Sequence, residues 1–468
     1  MVFSSIVFLF TFLPISLLIY YISPKKFKNA ILLLTSLVFY AWGEPVYIFL
    51  MIGTIIFDYI MALKIDKYKR DRKKSKRFFI FTLLVNVGIL VFFTYVGFII
   101  GNINSIFSIN IPFNELSLPV GISFYTFQVL SYIVDVYLGK VKVQRSLVSF
   151  GAYVTMFPQL VAGPIVQYET IEEQLNYREE SLEKFGQGVE RFIQGLGKKV
   201  LLANNIGLIW TTISATDLGS MSVLTAWIGI IAYTFQIYFD FSGYSDMAIG
   251  LGKMFGFDFI ENFNFPYIST SVTEFWRRWH ISLGSWFRDY IYIPLGGNRV
   301  SLGKQIRNIF AVWFLTGLWH GASWNFIVWG LYYGVILLLE KMVFARILEK
   351  TPRFIKHIYT MLLVIIGWVF FASPTLSYAL DYIKIMFGFG HNVIMDSAGI
   401  YYLYTNAIMF VILAICSTTI VKTALDKIVV KSKSRYVNAS LIAYMLILFL
   451  ATAYLVNETY NPFLYFRF

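Results

Sequence analysis

The chain has 468 residues, of which 58% are hydrophobic and 14% are charged, and its mean hydropathy is +0.66. Soluble domains carry about 25% charged residues, so this composition predicts an all-α, polytopic integral membrane protein. The net charge of +13 does not indicate nucleic-acid binding, because the basic residues cluster between apolar segments, as in membrane proteins. The single cysteine, Cys416, excludes an intrachain disulfide and a cysteine-based metal site.

Apolar runs of about 20 residues recur along the whole chain, and each is long enough to cross a lipid bilayer. We count roughly ten to twelve spans in a single membrane domain over residues 1–468. The first run, residues 3–22, lacks a charged n-region and a cleavage site, so we interpret it as a spanning helix. Residues 64–77 are the most basic segment and are expected to form a cytoplasmic loop, which places the C-terminal tail, residues 457–468, outside.

Two segments combine a helical period of apolar residues with a charged opposite face. They are residues 181–200 and 274–293, and we predict that both helices lie in the membrane interface. On a helical wheel of the second segment, Arg277 and Arg288 share a flank, and His280 lies at the edge of the aromatic face.

Two acidic residues, Asp240 and Asp246, lie six positions apart in an apolar setting. They could form a proton path in a transporter, since carboxyl groups inside membranes are costly and usually functional. They could instead pair with Arg277 or Arg278 and hold helices together, which is the interpretation we favour.

The stretch over residues 313–330 contains one ionisable side chain, His320, among apolar, aromatic and small residues. Such a group in hydrocarbon marks function by default, although a packed histidine bonded to a backbone carbonyl is the alternative. Gly317 and Gly321 have the spacing that allows another helix to approach closely. Trp313, His320 and Trp324 follow in steps of seven and four, which predicts that they share a helix face.

The other three histidines differ in their surroundings. His357 follows a basic stretch and His391 lies in a glycine-rich loop, so we expect both to be solvated. His280, like His320, lies among tryptophans, and a neutral imidazole can act as a general base near neutral pH. No His-x-x-x-His or Glu-x-x-His spacing is present, so we predict no metal site.

Six sequence motifs lie in order along the chain. They are FPQLVAGPIVQY (157–168), YFDFSGYSD (238–246), FNFPY (263–267), FWRRWHISL (275–283), RDYIYIPLGG (288–297) and GLWHGASWN (317–325). Together they closely resemble the membrane-bound O-acyltransferase (MBOAT) family, in the bacterial branch that acetylates alginate and peptidoglycan. The resemblance implies a ring of helices around a central funnel, which a cytosolic acyl-CoA enters from one side.

The same resemblance implies roles for the two embedded histidines. The family's catalytic histidine falls on His320, and the second polar position of the site falls on His280. The expected reaction moves an acetyl group from acetyl-CoA toward an exported or cell-envelope polysaccharide. His320 would then take the proton of the attacking hydroxyl, because a protonated alcohol or phenol is a poor nucleophile.

Other candidate site residues are two indoles and two guanidinium groups. Trp319 or Trp324 could donate an N–H to the developing oxyanion, as could His280. Arg277 and Arg288 could bind CoA phosphates, since guanidinium matches phosphate geometry, and lipid phosphates are an equally suitable partner.

The aromatic tail, residues 462–468 (PFLYFRF), carries one phenol, Tyr465. An aromatic belt at the outer interface would explain it. The tail also resembles the C-terminal tyrosine motif of envelope-polymer acylation systems, which implies that Tyr465 carries the acyl group transiently.

The resemblance further implies an extracytoplasmic SGNH-type transferase as partner, and a bacterial cytoplasmic membrane as the location. The alternative from another class is a transporter or flippase of lipid-linked glycans, which would be built from inverted repeats and carry charges within its spans. We find no obvious internal repeat, and spans outside the motif region are mostly uncharged.

Overall fold

The computed structural model describes residues 1–114, 116–160, 163–390, 392–431, 433–457 and 460–462. These residues are mostly helical, and none of them belongs to a β-strand. The all-α prediction is therefore confirmed. The chain divides into two compact units, Met1–Phe192 with Tyr244–Ile260, and Ile193–Gly243 with Glu261–Phe468.

The first unit is built mainly from the N-terminal helices. A π-helical turn, Phe8–Phe12, and a 3₁₀ turn, Lys25–Phe27, flank the first helix. The α-helices are α1 (Leu13–Ile22), α2 (Lys28–Gly43), α3 (Tyr47–Lys67), α4 (Arg72–Phe107), α5 (Ile122–Leu138), α6 (Leu147–Thr155), α7 (Phe157–Leu160), α8 (Tyr168–Asn176) and α9 (Leu182–Gly197).

The second unit holds the C-terminal helices. It also contains π-helical segments at Lys198–Asn204, Arg288–Tyr292 and Glu340–Phe344, and a 3₁₀ turn at Pro266–Ile268. The α-helices are α10 (Asn205–Ser214), α11 (Val223–Met254), α12 (Val272–Arg278), α13 (Ile281–Phe287), α14 (Leu302–His320), α15 (Trp324–Leu339), α16 (Ala345–Lys350), α17 (Arg353–Ala372), α18 (Leu376–Met386), α19 (Ser397–Cys416), α20 (Ile420–Lys431) and α21 (Lys433–Asn457). Residues 193–197 of α9 belong to the second unit, and residues 244–254 of α11 belong to the first.

Seven helices of the described chain are long and apolar enough to cross a membrane, which supports a multi-pass membrane protein. They are Tyr47–Lys67, Arg72–Phe107, Val223–Met254, Trp324–Lys350, Arg353–Ala372, Ser397–Cys416 and Ala439–Asn457. Two shorter apolar helices are Phe8–Ile22 and Ile122–Leu138. The sequence count of ten to twelve is higher because it includes apolar runs whose helices are shorter, such as Phe8–Ile22 and Ile122–Leu138.

Both predicted amphipathic helices differ from expectation in length. A helix covers Leu182–Gly197 and continues through the π-helical segment Lys198–Asn204 into α10, and its location in the membrane interface stays a prediction. The single helix predicted over residues 274–293 is wrong, because Trp279 and His280 separate α12 from α13. A helical wheel does not apply across that break, so it no longer places Arg277 and Arg288 on one flank.

Both embedded aspartates form ion pairs, but not with the arginines that the sequence suggested. In the second unit, Lys199 Nζ lies 2.6 Å from Asp240 Oδ1, and both side chains are at most 3% exposed. In the first unit, Arg191 Nη2 lies 2.7 Å from Asp246 Oδ1. The pairing interpretation is therefore correct in kind, with partners from a different helical run.

Glycines explain why those partners lie so close to α11. In the second unit, a Cβ atom added to Gly243 would lie 2.8 Å from the carbonyl oxygen of Gly195. In the first unit, a Cβ atom added to Gly250 would lie 2.6 Å from the carbonyl oxygen of Gly188. Small residues at such crossings let helix backbones approach closely, so side chains from α9 and the segment after it reach the carboxylates.

Candidate active site

His320 is the last residue of α14, at the turn that leads into α15. Gly321 is extended there, and Ser323 precedes the first turn of α15. The prediction that His320 and Trp324 share a helix face is therefore wrong, because the chain reverses between them. Trp324 begins α15 and is 54% exposed, whereas His320 is 5% exposed.

The hairpin of α14 and α15 depends on two glycines. A Cβ atom added to Gly317 would lie 2.4 Å from the carbonyl oxygen of Phe326, and one added to Gly330 would lie 2.2 Å from that of Trp313. Gly317 is thus a helix-contact residue, as its spacing predicted. An added Cβ at Gly321 would lie 2.6 Å from the Phe326 ring.

We expect Gly317→Ala to destabilise the protein by about 1–3 kcal/mol, because a backbone oxygen cannot move away as a flexible side chain can. The measurement is the apparent melting temperature in detergent. Gly303→Ala is the matched control on the same helix, since a Cβ atom added there meets nothing within 4 Å. An unchanged melting temperature for Gly317→Ala would show that the hairpin can open without loss.

His280 is placed by the end of α12 and the break that follows it. The N-terminus of α12 is fixed by Ser271 Oγ, which accepts from Glu274 N at 3.0 Å. The buried Glu340 carboxylate accepts from Val272 N at 2.7 Å. Oxygen acceptors at a helix N-terminus satisfy its free N–H groups. After Arg278 the helix ends, and His280 has a φ of 46°, which is uncommon for a residue other than glycine and is a frequent feature of functional sites.

Asn262 determines the orientation of the His280 ring. Its Oδ1 atom accepts from Ser282 N at 3.2 Å and from Ser282 Oγ at 2.9 Å, which identifies that atom as oxygen. The same oxygen lies 3.1 Å from His280 Nδ1. Because an amide oxygen only accepts, Nδ1 carries the proton of a neutral His280 and Nε2 carries the basic lone pair.

An aromatic enclosure surrounds His320. Its ring centroid lies 4.8 Å from that of Trp319, 4.9 Å from that of Trp329 and 4.9 Å from that of Phe371. Trp319 also contacts His280, with ring centroids 5.7 Å apart. The structure therefore brings together His320, His280 and Trp319, which are all buried.

The burial of both imidazoles favours their neutral form. Neither lies in one of the seven candidate spans. Burial lowers the pKa of His320 below the ordinary range of imidazole. Burial lowers the pKa of His280 as well, and the nearby His320 adds to that shift. A neutral imidazole can accept a proton, which a general base requires.

A cavity of about 270 Å³ lies next to this enclosure. Phe326 and Phe371 line it, and both rings also contact His320, with centroid distances of 6.5 Å and 4.9 Å. Polar groups and two residues of the C-terminal segment, Tyr460 and Pro462, line it as well. Its described lining contains hydroxyl, amide and aromatic groups but no charged side chain.

The other predicted site residues are not part of this buried cluster. Arg277 and Arg288 are exposed, and Arg288 Nε donates to Asp289 Oδ1 at 2.7 Å. His357, which the sequence predicted to be solvated, is instead half-buried, with Nδ1 3.1 Å from the carbonyl oxygen of Ser269. Tyr465 and His391 lie outside the described residues.

Sequence reasoning did not identify Asn262, Phe371 or Lys199. Phe371 reaches His320 because Asn325, at the start of α15, donates to the carbonyl oxygens of Phe370 and Ser373 at the end of α17. No spacing in the sequence indicates that contact. For Asn262 the available signal was its position directly before the FNFPY motif.

Comparison with known proteins gives the family. The model of the membrane-bound O-acyltransferase family, MBOAT, matches residues 46–380. The chain belongs to this family. The MBOAT protein described here is 44% identical over 401 residues to a probable alginate O-acetylase of Azotobacter vinelandii. The aligned region covers 85% of this chain and 80% of that relative.

Two further relatives have other acceptors in their names. A peptidoglycan O-acetyltransferase of Helicobacter pylori is 36% identical over 434 residues, with 83% of this chain and 80% of that one covered. A teichoic acid D-alanyltransferase of Bacillus subtilis is 30% identical over 237 residues, with 48% and 59% covered. This MBOAT protein is therefore a membrane-bound acyltransferase, and the enzyme class expected from its motifs is confirmed.

Proposed function

We propose that this protein is an O-acetyltransferase of the bacterial cytoplasmic membrane. It takes acetyl from cytosolic acetyl-CoA and passes it across the membrane for O-acetylation of an exported or cell-envelope polysaccharide. The observation that carries the proposal is the pair of buried imidazoles, His280 and His320, which both contact Trp319. The names of the relatives support acetyl as the group and a polysaccharide as the final acceptor.

His320 is the proposed general base. The acceptor oxygen attacks the thioester carbonyl carbon and gives its proton to the neutral imidazole, so that a tetrahedral oxyanion forms. The carbon–sulfur bond then breaks, and the CoA thiolate takes the proton back from the imidazolium. Both chemical steps need a proton carrier near neutral pH, which a neutral imidazole in a water-poor enclosure supplies.

Oxyanion stabilisation is assigned to N–H donors near His320. Trp319 is buried beside both histidines, which supports this role for its indole. Trp324 is the weaker candidate because its side chain is 54% exposed. Arg277 and Arg288 are exposed, which suits contact with CoA phosphates at the membrane surface.

Tyr465 is the proposed transient acyl carrier. Its phenol oxygen would take acetyl at His320 and then lose it to a sugar hydroxyl, and the released phenolate would regain the proton. A phenol has a pKa near 10, so its ester is a better leaving group than an alkyl ester. Tyr460 and Pro462 line the cavity beside His320, which supports delivery of the tail to this place. An extracytoplasmic SGNH-type transferase would complete the transfer to polymer.

Inverted membrane vesicles, whose cytoplasmic face is outward, test this direction of transfer. Acetyl-CoA with a labelled acetyl group is added outside, and a soluble saccharide acceptor with the partner transferase is enclosed. We expect labelled saccharide inside the vesicles and unlabelled CoA thiol outside. Right-side-out vesicles with acetyl-CoA outside are the control and should give no product. Equal product from both orientations would contradict transfer across the membrane.

A further inference from the structure

Three described residues of the C-terminal segment form hydrogen bonds to the continuous helical run from α9 to α10. They are Tyr460, Asn461 and Pro462. Thr211 Oγ1 lies 2.8 Å from Tyr460 Oη. Asn204 Nδ2 donates to Asn461 Oδ1 at 3.1 Å. Lys199 Nζ donates to the carbonyl oxygen of Pro462.

Lys199 is the most deeply placed of these partners, at 1% exposure. An ammonium group has three N–H donors. The Lys199 ammonium forms an ion pair with Asp240, whose Oδ1 lies 2.6 Å away, and it donates to Asn204 Oδ1 at 2.8 Å and to the Pro462 carbonyl oxygen. A buried charge is tolerated only when it is paired and hydrogen-bonded, so the C-terminal segment completes the coordination of this ammonium.

We propose that Lys199, charged and held by Asp240, is a positioning residue that fixes the C-terminal segment at the cavity beside His320. Because Pro462 lines that cavity together with Phe326 and Phe371, the bond to its carbonyl fixes one wall of the cavity. The inference deepens the proposed function, since it rests on a tail that must reach His320.

We call Lys199, Asp240 and the bond from Lys199 to the Pro462 carbonyl the clamp. Chain geometry links this clamp to the proposed carrier, Tyr465. Three residues of extended chain span at most about 11 Å, so Tyr465 Cα stays within that distance of Pro462 Cα. Tethering of this kind raises the effective concentration of a group without any new contact at the reacting atoms.

Thiol labelling of the tail tests the clamp without measuring activity. Asn461→Cys provides the thiol, and this protein is the parent in the test. Its rate of reaction with a maleimide is compared with that of the same protein carrying Lys199→Met/Asp240→Asn as well, which removes both charges together. We expect labelling at position 461 to become about tenfold faster, the change that corresponds to one hydrogen bond to a charged group. Native Cys416, which is half-buried in α19, is labelled in parallel and should react at an unchanged rate.

Three further variants separate positioning from general packing. Arg191→Met/Asp246→Asn removes the other embedded ion pair and should leave labelling at position 461 unchanged. Lys199→Arg keeps the charge and the donors and should restore slow labelling. Tyr460→Phe removes the bonds from its phenol to Thr211 and Gln236 and should accelerate labelling on its own.

The outcomes distinguish the clamp from the function of the tail. Equal labelling in the parent and in Lys199→Met/Asp240→Asn overturns the clamp whatever the acetylation activity is. Faster labelling with unchanged acetylation of polymer upholds the clamp and overturns the carrier role of Tyr465. Faster labelling with reduced acetylation supports both.

Discussion

Replacing His320 with alanine is expected to lower acetyl transfer by about 10²–10⁴-fold, the usual contribution of a positioned general base. The acceptor hydroxyl then has no group to take its proton as it attacks the thioester. The measurement is the acetyl content of envelope polysaccharide from cells that express the variant, alongside the amount of protein in the membrane. The variant should still insert, because the hairpin of α14 and α15 is held by Gly317 and Gly330.

The alanine variant also leaves a void in an aromatic enclosure, so a second substitution is needed. His320→Gln fills more of that space but provides no base, and we expect the same loss. His357→Ala is the matched control, because this half-buried histidine lies in α17, where its Nδ1 is 3.1 Å from the backbone carbonyl oxygen of Ser269. It should keep parental acetylation. Parental activity in His320→Gln would contradict the assignment of the base.

The second large effect is expected for Tyr465→Phe, which keeps the aromatic ring and removes the phenol oxygen. If that oxygen carries the acetyl group, polymer acetylation should fall to the level of cells that lack the protein. Without polymer, the purified parent incubated with acetyl-CoA should gain the mass of one acetyl group on its C-terminal peptide. Tyr465→Phe and His320→Ala should both lack that added mass.

Tyr404→Phe is the matched control for loss of a phenol, since Tyr404 on α19 is 84% exposed. It should acetylate polymer as the parent does. Parental polymer acetylation by Tyr465→Phe would rule out the carrier and would leave direct transfer to the sugar at His320.

Composition and periodicity predicted the fold class and the two central histidines. The reason is physical: an ionisable side chain within a long apolar run is costly, so His320 stands out in the sequence. The same argument detected Asp240 and Asp246. The partners of the two aspartates could not be predicted in this way. Lys199 and Arg191 reach the carboxylates because the helices cross closely at glycines.

Periodicity also failed at the break before α13. The helical-wheel prediction assumed one helix over residues 274–293, because neither Trp279 nor His280 is a helix-breaking residue. His280 nevertheless takes a φ of 46°, held by the bonds that Asn262 makes to Ile281 and Ser282. Such a conformation depends on distant residues, so a local pattern cannot predict it.

The π-helical segment Lys198–Asn204 makes the length of this stretch as important as its side chains. Each residue of an α-helix advances the direction of the next side chain by about 100°, and π-helical turns absorb an extra residue without ending the helix. Loss of one residue here would rotate α10 against α9, and Thr211 would turn away from Tyr460. Insertions and deletions in this stretch should therefore be tolerated far less well than substitutions.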